Sequence, residues 1–159
     1  MMGVRAEPTP RLQSVFRLRF TLAIKIDRFE GRQSVAIRIL IADDNADVRS
    51  SVARVIRSSG ENWEICYEAA DGRAAIEKAL ELRPDLLILD LLMPHDGITA
   101  GREIHRLLPG APMVLNTIWS SPALELEAKR AGFQVVAEKS SAAILISAIH
   151  QALTRPVVD

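Results

Sequence analysis

The chain has 159 residues, of which 48% are hydrophobic and 25% are charged, as expected for one globular domain with some spare chain. Lys and Arg number 20, and so do Asp and Glu, so the net charge points to no class of partner. The single cysteine, Cys66, excludes an internal disulfide and predicts a reducing, cytoplasmic location. No apolar run is long enough to span a bilayer, and the three histidines lack the spacing of a zinc site.

The first 34 residues differ from the rest of the chain. Up to Gln33 the sequence is net +4, which leaves net −4 for the remainder. Apolar residues alternate with polar ones from Phe16 to Asp27, which favours a strand, although a helical stripe also fits. We predict that 1–34 is a poorly ordered extension or a wrongly assigned start, and the alternative is an extra strand or a dimerisation element. The folded domain is predicted to be 35–159.

Two β/α units open this domain. The apolar run 37–42 predicts a buried strand, and Asn45 or Asp44 then caps a helix that ends at Gly60. Residues 63–68 alternate, which predicts a half-exposed edge strand. The next helix opens at Asp71-Gly72 and closes before Pro84.

Three more units follow. Residues 85–90 and 113–115 read as buried strands, and 134–138 as a short last strand. The helix at 98–108 is predicted to be weak because Gly101 lies inside it. A helix from Ser121-Pro122 to Gly132 and a last helix at 141–153 complete the pattern. Five alternations predict an α/β, doubly wound parallel sheet. The chain ends just past the last helix, which predicts a stand-alone domain without an output domain.

Carboxylates occur at the ends of two predicted buried strands. Asp43 and Asp44 follow the first strand, and Asp90 ends the third. If the strand order is 2-1-3-4-5, these two strands are neighbours at the switch point, where doubly wound sheets bind ligands. Three carboxylates would then converge and repel one another unless a hard cation neutralised them. An all-oxygen site of this kind suits Mg²⁺.

Complementary groups end the other strands. The fourth strand delivers Thr117, a hydroxyl donor, and the fifth delivers Lys139, a point charge that pairs well with phosphate oxygens. With Asp90 as nucleophile, this set predicts a phosphoryl-transfer site. Each residue also has a plainer explanation. Asp43 or Asp44 could cap a helix, and Asp90, Thr117 and Lys139 could be ordinary strand-end residues. It is their joint placement that favours the functional interpretation.

These motifs resemble the receiver domain of two-component response regulators, over about 37–153. The resemblance rests on five stretches of sequence: 39–45, 68–72, 84–94, 112–117 and 132–139. Lys139 is followed by Ser140-Ser141, which is similar to receivers of the nitrate-response (NarL/FixJ) type.

The resemblance implies a flavodoxin-like (βα)5 fold with a five-stranded sheet of order 2-1-3-4-5. It implies that a histidine kinase or phosphotransfer protein phosphorylates Asp90. Asp43, Asp44, Asp90 and the Leu92 carbonyl would hold Mg²⁺, and Thr117 and Lys139 would bind the phosphoryl group. The last two helices, with the strand between them, would be the output surface for an unknown downstream protein.

Three positions depart from the family pattern. The turn at 93–97 is one residue short, Val136 stands where a switch aromatic is usual, and Ile118 follows Thr117 where a small residue is common. We expect Ile118 to restrict water at an acyl phosphate.

Four functions compete at this stage. A phosphoacceptor signalling protein, not an enzyme in the usual sense, fits best. The alternative is a pseudo-receiver, a protein-interaction module without phosphoryl turnover. A DNA- or membrane-associated regulator acting through the basic extension is weaker, because no binding motif is present and no direct nucleic-acid contact is expected. A hydrolase is weaker still. A homodimer remains an open alternative.

Overall fold

One parallel sheet organises the fold. The computed structural model describes residues 35–155, and the predicted extension at 1–34 lies outside them. The strands are β1 (Ile37–Ala42), β2 (Trp63–Ala69), β3 (Leu86–Asp90), β4 (Met113–Thr117) and β5 (Val135–Glu138). Their order is β2-β1-β3-β4-β5, and every pair is parallel. The predicted flavodoxin-like order 2-1-3-4-5 is therefore confirmed.

Between residues 35 and 155, five helices alternate with the strands. They are α1 (Ala46–Ser58), α2 (Gly72–Leu82), α3 (Gly97–Leu107), α4 (Pro122–Arg130) and α5 (Ala142–Thr154). All five positions of β3 are buried, because helices cover both faces of the sheet and leave the central strand no contact with water. One apolar cluster joins the sheet to α2, α3 and α4, and the other joins it to α1 and α5. Within 35–155, no helix is both long and apolar enough to cross a membrane.

A polar side chain caps the start of every helix. The capping residues are Asn45, Asp71, Asp96, Ser121 and Ser141. At α1, the Asn45 side chain accepts hydrogen bonds from the backbone N–H groups of Asp47 and Val48, at 3.0 and 3.2 Å. The sequence left Asp44 and Asn45 as alternatives for this cap. Asn45 fills it, so neither Asp43 nor Asp44 is used to start the helix.

Gly101 allows the side chain of Phe133 to pack on α3. Phe133 is 4% exposed, and a Cβ at position 101 would overlap its ring. The sequence predicted a weak helix here on account of this glycine. α3 nevertheless runs unbroken from Gly97 to Leu107, because the ring packs against its backbone.

We expect Gly101→Ala to lower the melting temperature. Alanine should favour the helix by about 1 kcal/mol, but overpacking a close contact costs about 1–3 kcal/mol. Since the contact is with a buried ring, the second effect should dominate. Thermal unfolding followed by circular dichroism measures the change. In a protein that already carries Phe133→Leu, Gly101→Ala should lower the melting temperature much less. An equal decrease in melting temperature in both proteins would contradict this explanation.

Candidate functional site

Three aspartates meet at the carboxyl edge of the sheet. Asp43 and Asp44 follow β1, and Asp90 is the last residue of the adjacent β3. Each offers a carboxylate oxygen, and these oxygens lie within 4.8 Å of one another. Asp43 and Asp90 are 2% and 6% exposed, whereas Asp44 faces solvent. The pocket therefore holds two desolvated carboxylates with a third at its mouth.

Lys139 joins the two buried carboxylates. Its Nζ lies 2.6 Å from Asp43 Oδ2 and 2.7 Å from Asp90 Oδ1, and it donates a hydrogen bond to each. The position of Lys139 is fixed through the main chain, because its N–H donates to the Thr117 carbonyl at 2.7 Å. One cation thus serves two carboxylates, 96 and 49 residues away along the chain.

Burial and charge shift the pKa values of this pair. Desolvation raises the pKa of Asp90 above its ordinary value, and the nearby charges of Asp43 and Asp44 add to that rise; the Lys139 ammonium opposes it only in part. The pKa of Lys139 is also raised. Burial alone would lower it, but the hydrogen bonds and charges of the two carboxylates outweigh the burial. Burial therefore favours the neutral form of Asp90, whereas its two carboxylate partners keep Lys139 charged.

Thr117 lies at the end of β4, beside the strand that carries Asp90. Its side chain is fully buried, and within 35–155 its Oγ1 has no hydrogen-bond partner. A buried hydroxyl without a partner is costly, because it has lost water and gained nothing in exchange. This atom can donate to a ligand oxygen that enters the crevice.

Leu92 is the remaining residue predicted for the site. It follows Asp90 by two positions, in the loop between β3 and α3, and its side chain is 60% exposed. The carbonyl contribution that the family resemblance implies for Leu92 stays a prediction.

The donor set suits a small divalent cation. Three carboxylates in one pocket supply only oxygen ligands, which is the chemistry that Mg²⁺ prefers. Among residues 35–155, Lys139 is the one ammonium in contact with Asp43 and Asp90, so three ionised carboxylates would leave the pocket net negative. A divalent cation held by Asp43, Asp44 and Asp90 would supply the missing charge.

Sequence reasoning missed Arg49. Its Nη1 donates to the carbonyl oxygen of Asp43 at 2.6 Å, so a helix residue contacts the main chain of the pocket. Arg49 lies one turn into α1, and a basic residue at that position reads as an ordinary surface charge. The pattern of the sequence carries no signal for a contact between a side chain and a backbone carbonyl.

The short turn after β3 is accommodated by α2. His95 adopts φ 55°, an uncommon conformation for a residue with a side chain. The N–H of Gly72 donates to the Pro94 carbonyl at 3.0 Å, and a Cβ at position 72 would overlap the carbonyl oxygen of His95. The turn therefore rests on the first residue of α2.

A groove of about 480 Å³ adjoins the pocket. It lies between α1 and the start of α5, and Lys139 is common to the groove and the pocket. Its lining includes the apolar side chains of Val48, Val52, Val55 and Leu145. Ile118 also lines it, with 68% of its surface exposed, while Trp119 beside it is 51% exposed. The acidic pocket thus opens next to an apolar surface.

Several known proteins are similar to this chain. It is 38% identical over 96 residues to the chemotaxis protein CheY of Thermotoga maritima, a match over 60% of this chain and 78% of the relative. It is 40% identical over 126 residues to the transcriptional regulatory protein PdtaR of Mycobacterium tuberculosis, over 77% of this chain and 59% of the relative. The chain therefore spans little more than half of the PdtaR sequence.

Solved structures agree with these relatives. A LuxR-family two-component response regulator from Aurantimonas sp. SI85-9A1 superimposes with a TM-score of 0.72 at 32% identity, over 77% of this chain and 89% of that one. The receiver domain of a putative NarL regulator from Mycobacterium tuberculosis gives 0.69 at 27% identity, over 76% and 98%. The family model of the response regulator receiver domain matches residues 39–150. The chain accordingly belongs to the response regulator receiver domain family.

Proposed function

We propose that this receiver accepts a phosphoryl group on Asp90, with Mg²⁺, and uses it to switch a protein-binding surface. One observation carries the proposal. Lys139 contacts Asp43 and Asp90 at 2.6 and 2.7 Å, so the nucleophile, an acidic cation site and a phosphate-binding charge share one pocket. Thr117 supplies an unused hydroxyl at the same place.

The transfer step uses a carboxylate oxygen of Asp90. An Asp90 Oδ–P bond forms while the P–N bond of a phosphohistidine breaks, and the electron pair stays on the imidazole nitrogen, which takes a proton from solvent. Lys139 Nζ and Thr117 Oγ1 donate to the phosphoryl oxygens. A bound Mg²⁺ would neutralise charge on the same oxygens, held by Asp43, Asp44 and Asp90, with the Leu92 carbonyl as a further ligand.

The phosphoryl donor is a histidine kinase or phosphotransfer protein. Such a partner must bring its phosphohistidine within reach of Asp90, and the groove between α1 and α5 lies directly beside the pocket. The partly exposed apolar side chains of Val48 and Val55, which line this groove, suit the apolar face of a partner helix. We propose that the reaction takes place in the cytoplasm, where the single cysteine, Cys66, would stay reduced.

The switch begins at the two loops that follow β4 and β5. Ser120 N–H donates to Glu138 Oε1 at 3.2 Å, and Lys139 N–H donates to the Thr117 carbonyl. Movement of Thr117 toward a phosphoryl group would therefore pull on both loops. Val136 is half-buried on β5, so position 136 supplies no aromatic side chain for this coupling. The output surface is α4, β5 and α5, which meets a downstream protein or a second copy of the chain.

Labelling by acetyl phosphate tests the proposal. With Mg²⁺, the wild-type protein should gain the mass of one phosphoryl group, and excess chelator should prevent the gain. Intact-protein mass spectrometry measures both. A protein that neither gains the group nor binds Mg²⁺ would instead be a pseudo-receiver, a binding module without phosphoryl turnover.

Ile118 is expected to prolong the life of the acyl phosphate. The side chain lies directly after Thr117, where it can limit the approach of water to the phosphorus. Ile118→Ala should shorten the half-life of the phosphorylated protein by at least about twofold. Leu126→Ala removes a similarly exposed apolar side chain from α4 and should leave the half-life unchanged. Equal half-lives in all three proteins would refute the shielding role.

A further inference from the structure

Arg49 contacts the main chain where the acidic pocket begins. Its Nη1 donates to the Asp43 carbonyl at 2.6 Å, although the residue belongs to α1 and not to the loop. Its side chain is 18% exposed, so the charge is largely removed from water. Burying an arginine in this way is costly unless its hydrogen bonds are used. The contact is therefore a built part of the fold.

Two N–H groups of this bend also have hydrogen-bond partners. Asp43 N–H donates to the Ala69 carbonyl at 3.1 Å, and Asn45 N–H donates to Asp43 Oδ1 at 2.9 Å. The carbonyl oxygen of Asp43 accepts the hydrogen bond from Arg49. These three bonds restrain the main chain and the carboxylate of Asp43, and the Asp43 carbonyl that Arg49 binds belongs to the peptide that leads into Asp44.

Glu68 forms only a long ion pair with the Arg49 guanidinium. Its Oε2 lies 3.9 Å from Arg49 Nε, and its Oε1 lies 3.7 Å from Arg57 Nη2. Within the described part of the chain Arg49 Nε is buried without a hydrogen-bond partner, so the ion pair with Glu68 is loose. The short bond to the Asp43 carbonyl is thus the contact that fixes Arg49.

We propose that Arg49 is a positioning residue for the divalent cation, acting through the Asp43–Asp44 main chain. This inference rests on the cation site of the proposed function. A positive charge beside a cation site would by itself weaken cation binding, and its removal would strengthen it. Loss of positioning has the opposite sign, because misdirected carboxylates bind more weakly. If Arg49 acts mainly by repelling the cation, its removal should increase cation affinity. If it acts mainly by positioning the carboxylates, its removal should decrease cation affinity.

Mn²⁺ binding to the full chain supplies the measurement. The electron paramagnetic resonance signal of free Mn²⁺ reports binding directly, and competition with Mg²⁺ tests whether both ions use the same site. Arg49→Met keeps the length of the side chain and removes its donors, and should raise the dissociation constant about tenfold. Arg49→Lys keeps the charge and one donor group, and should fall between wild type and Arg49→Met. Arg54→Met removes an exposed charge from the same helix and should match wild type.

The outcomes distinguish the inference from the function on which it rests. No competable Mn²⁺ binding by wild type would overturn both. Wild-type binding together with equal or tighter binding by Arg49→Met would overturn the inference alone. If Arg49→Met does not fold, Arg49→Lys decides the matter, and a dissociation constant within about twofold of wild type refutes positioning.

Discussion

Asp90→Asn is expected to reduce phosphoryl labelling to background while making the metal-free protein more stable. The amide of asparagine cannot attack phosphorus as the carboxylate does, so labelling should be lost completely. Burial already disfavours the ionised form of this side chain, and a neutral amide of the same shape avoids that cost. We expect a gain in the free energy of unfolding of about 1 kcal/mol at neutral pH.

The gain should depend on pH in a defined way. The folded state raises the pKa of Asp90, so the folded protein binds this proton more tightly than the unfolded chain does. Ionisation of Asp90 therefore lowers stability as pH rises from the ordinary carboxyl pKa to the raised one. Asp90→Asn should match wild type below that window and exceed it above.

Asp47→Asn provides the matched control. Asp47 is an exposed carboxylate in the first turn of α1, outside the pocket. The control should be labelled like wild type and should melt at the same temperature. Labelling that survives in Asp90→Asn would show that another residue accepts the phosphoryl group.

Lys139→Met is expected to lower the free energy of unfolding of the metal-free protein by about 3 kcal/mol. The substitution leaves two buried carboxylates without the ammonium that they share. In a fold of this size the melting temperature should fall by about 10 °C. The pKa of Lys139 is raised in the folded state, so its stabilising effect is fully present below the ordinary lysine pKa and is lost only as pH rises through the raised value. The full decrease in the free energy of unfolding should therefore be measurable at neutral pH.

Added Mg²⁺ should recover part of this loss, since a divalent cation can neutralise the same carboxylates. Lys129→Met removes an exposed lysine from α4 and should change neither the melting temperature nor its response to Mg²⁺. Differential scanning calorimetry of the three proteins, with Mg²⁺ and with chelator, makes the comparison. A Lys139→Met protein as stable as wild type in chelator would mean that the two carboxylates are not both ionised.

Most of the fold could be predicted from local sequence patterns. The buried strands were visible because parallel strands covered on both faces are continuously apolar, as in β1 and β3. The carboxylates could be placed because parallel strands deliver their carboxyl ends to one edge. The contact of Lys139 with both Asp43 and Asp90 agrees with that expectation.

The remaining features depend on contacts that no pattern encodes. Gly101 indicated a weak helix, because helix propensity says nothing about a ring that packs against the glycine. Arg49 was missed because its partner is a backbone carbonyl, which every residue possesses. The short turn at 93–97 was noticed, but its support by Gly72 depends on how α2 meets that loop in three dimensions.

The complete burial of β3 limits which parts of the fold can respond to a change in the pocket. The amides of a fully enclosed central strand are expected to exchange with deuterium only on global unfolding. We therefore expect β3 to stay rigid in the folded protein. If Asp90 is phosphorylated, we expect the effect to reach the surface through the loops that contain Thr117 and Lys139. The amides of these loops should be the first to change their exchange rates.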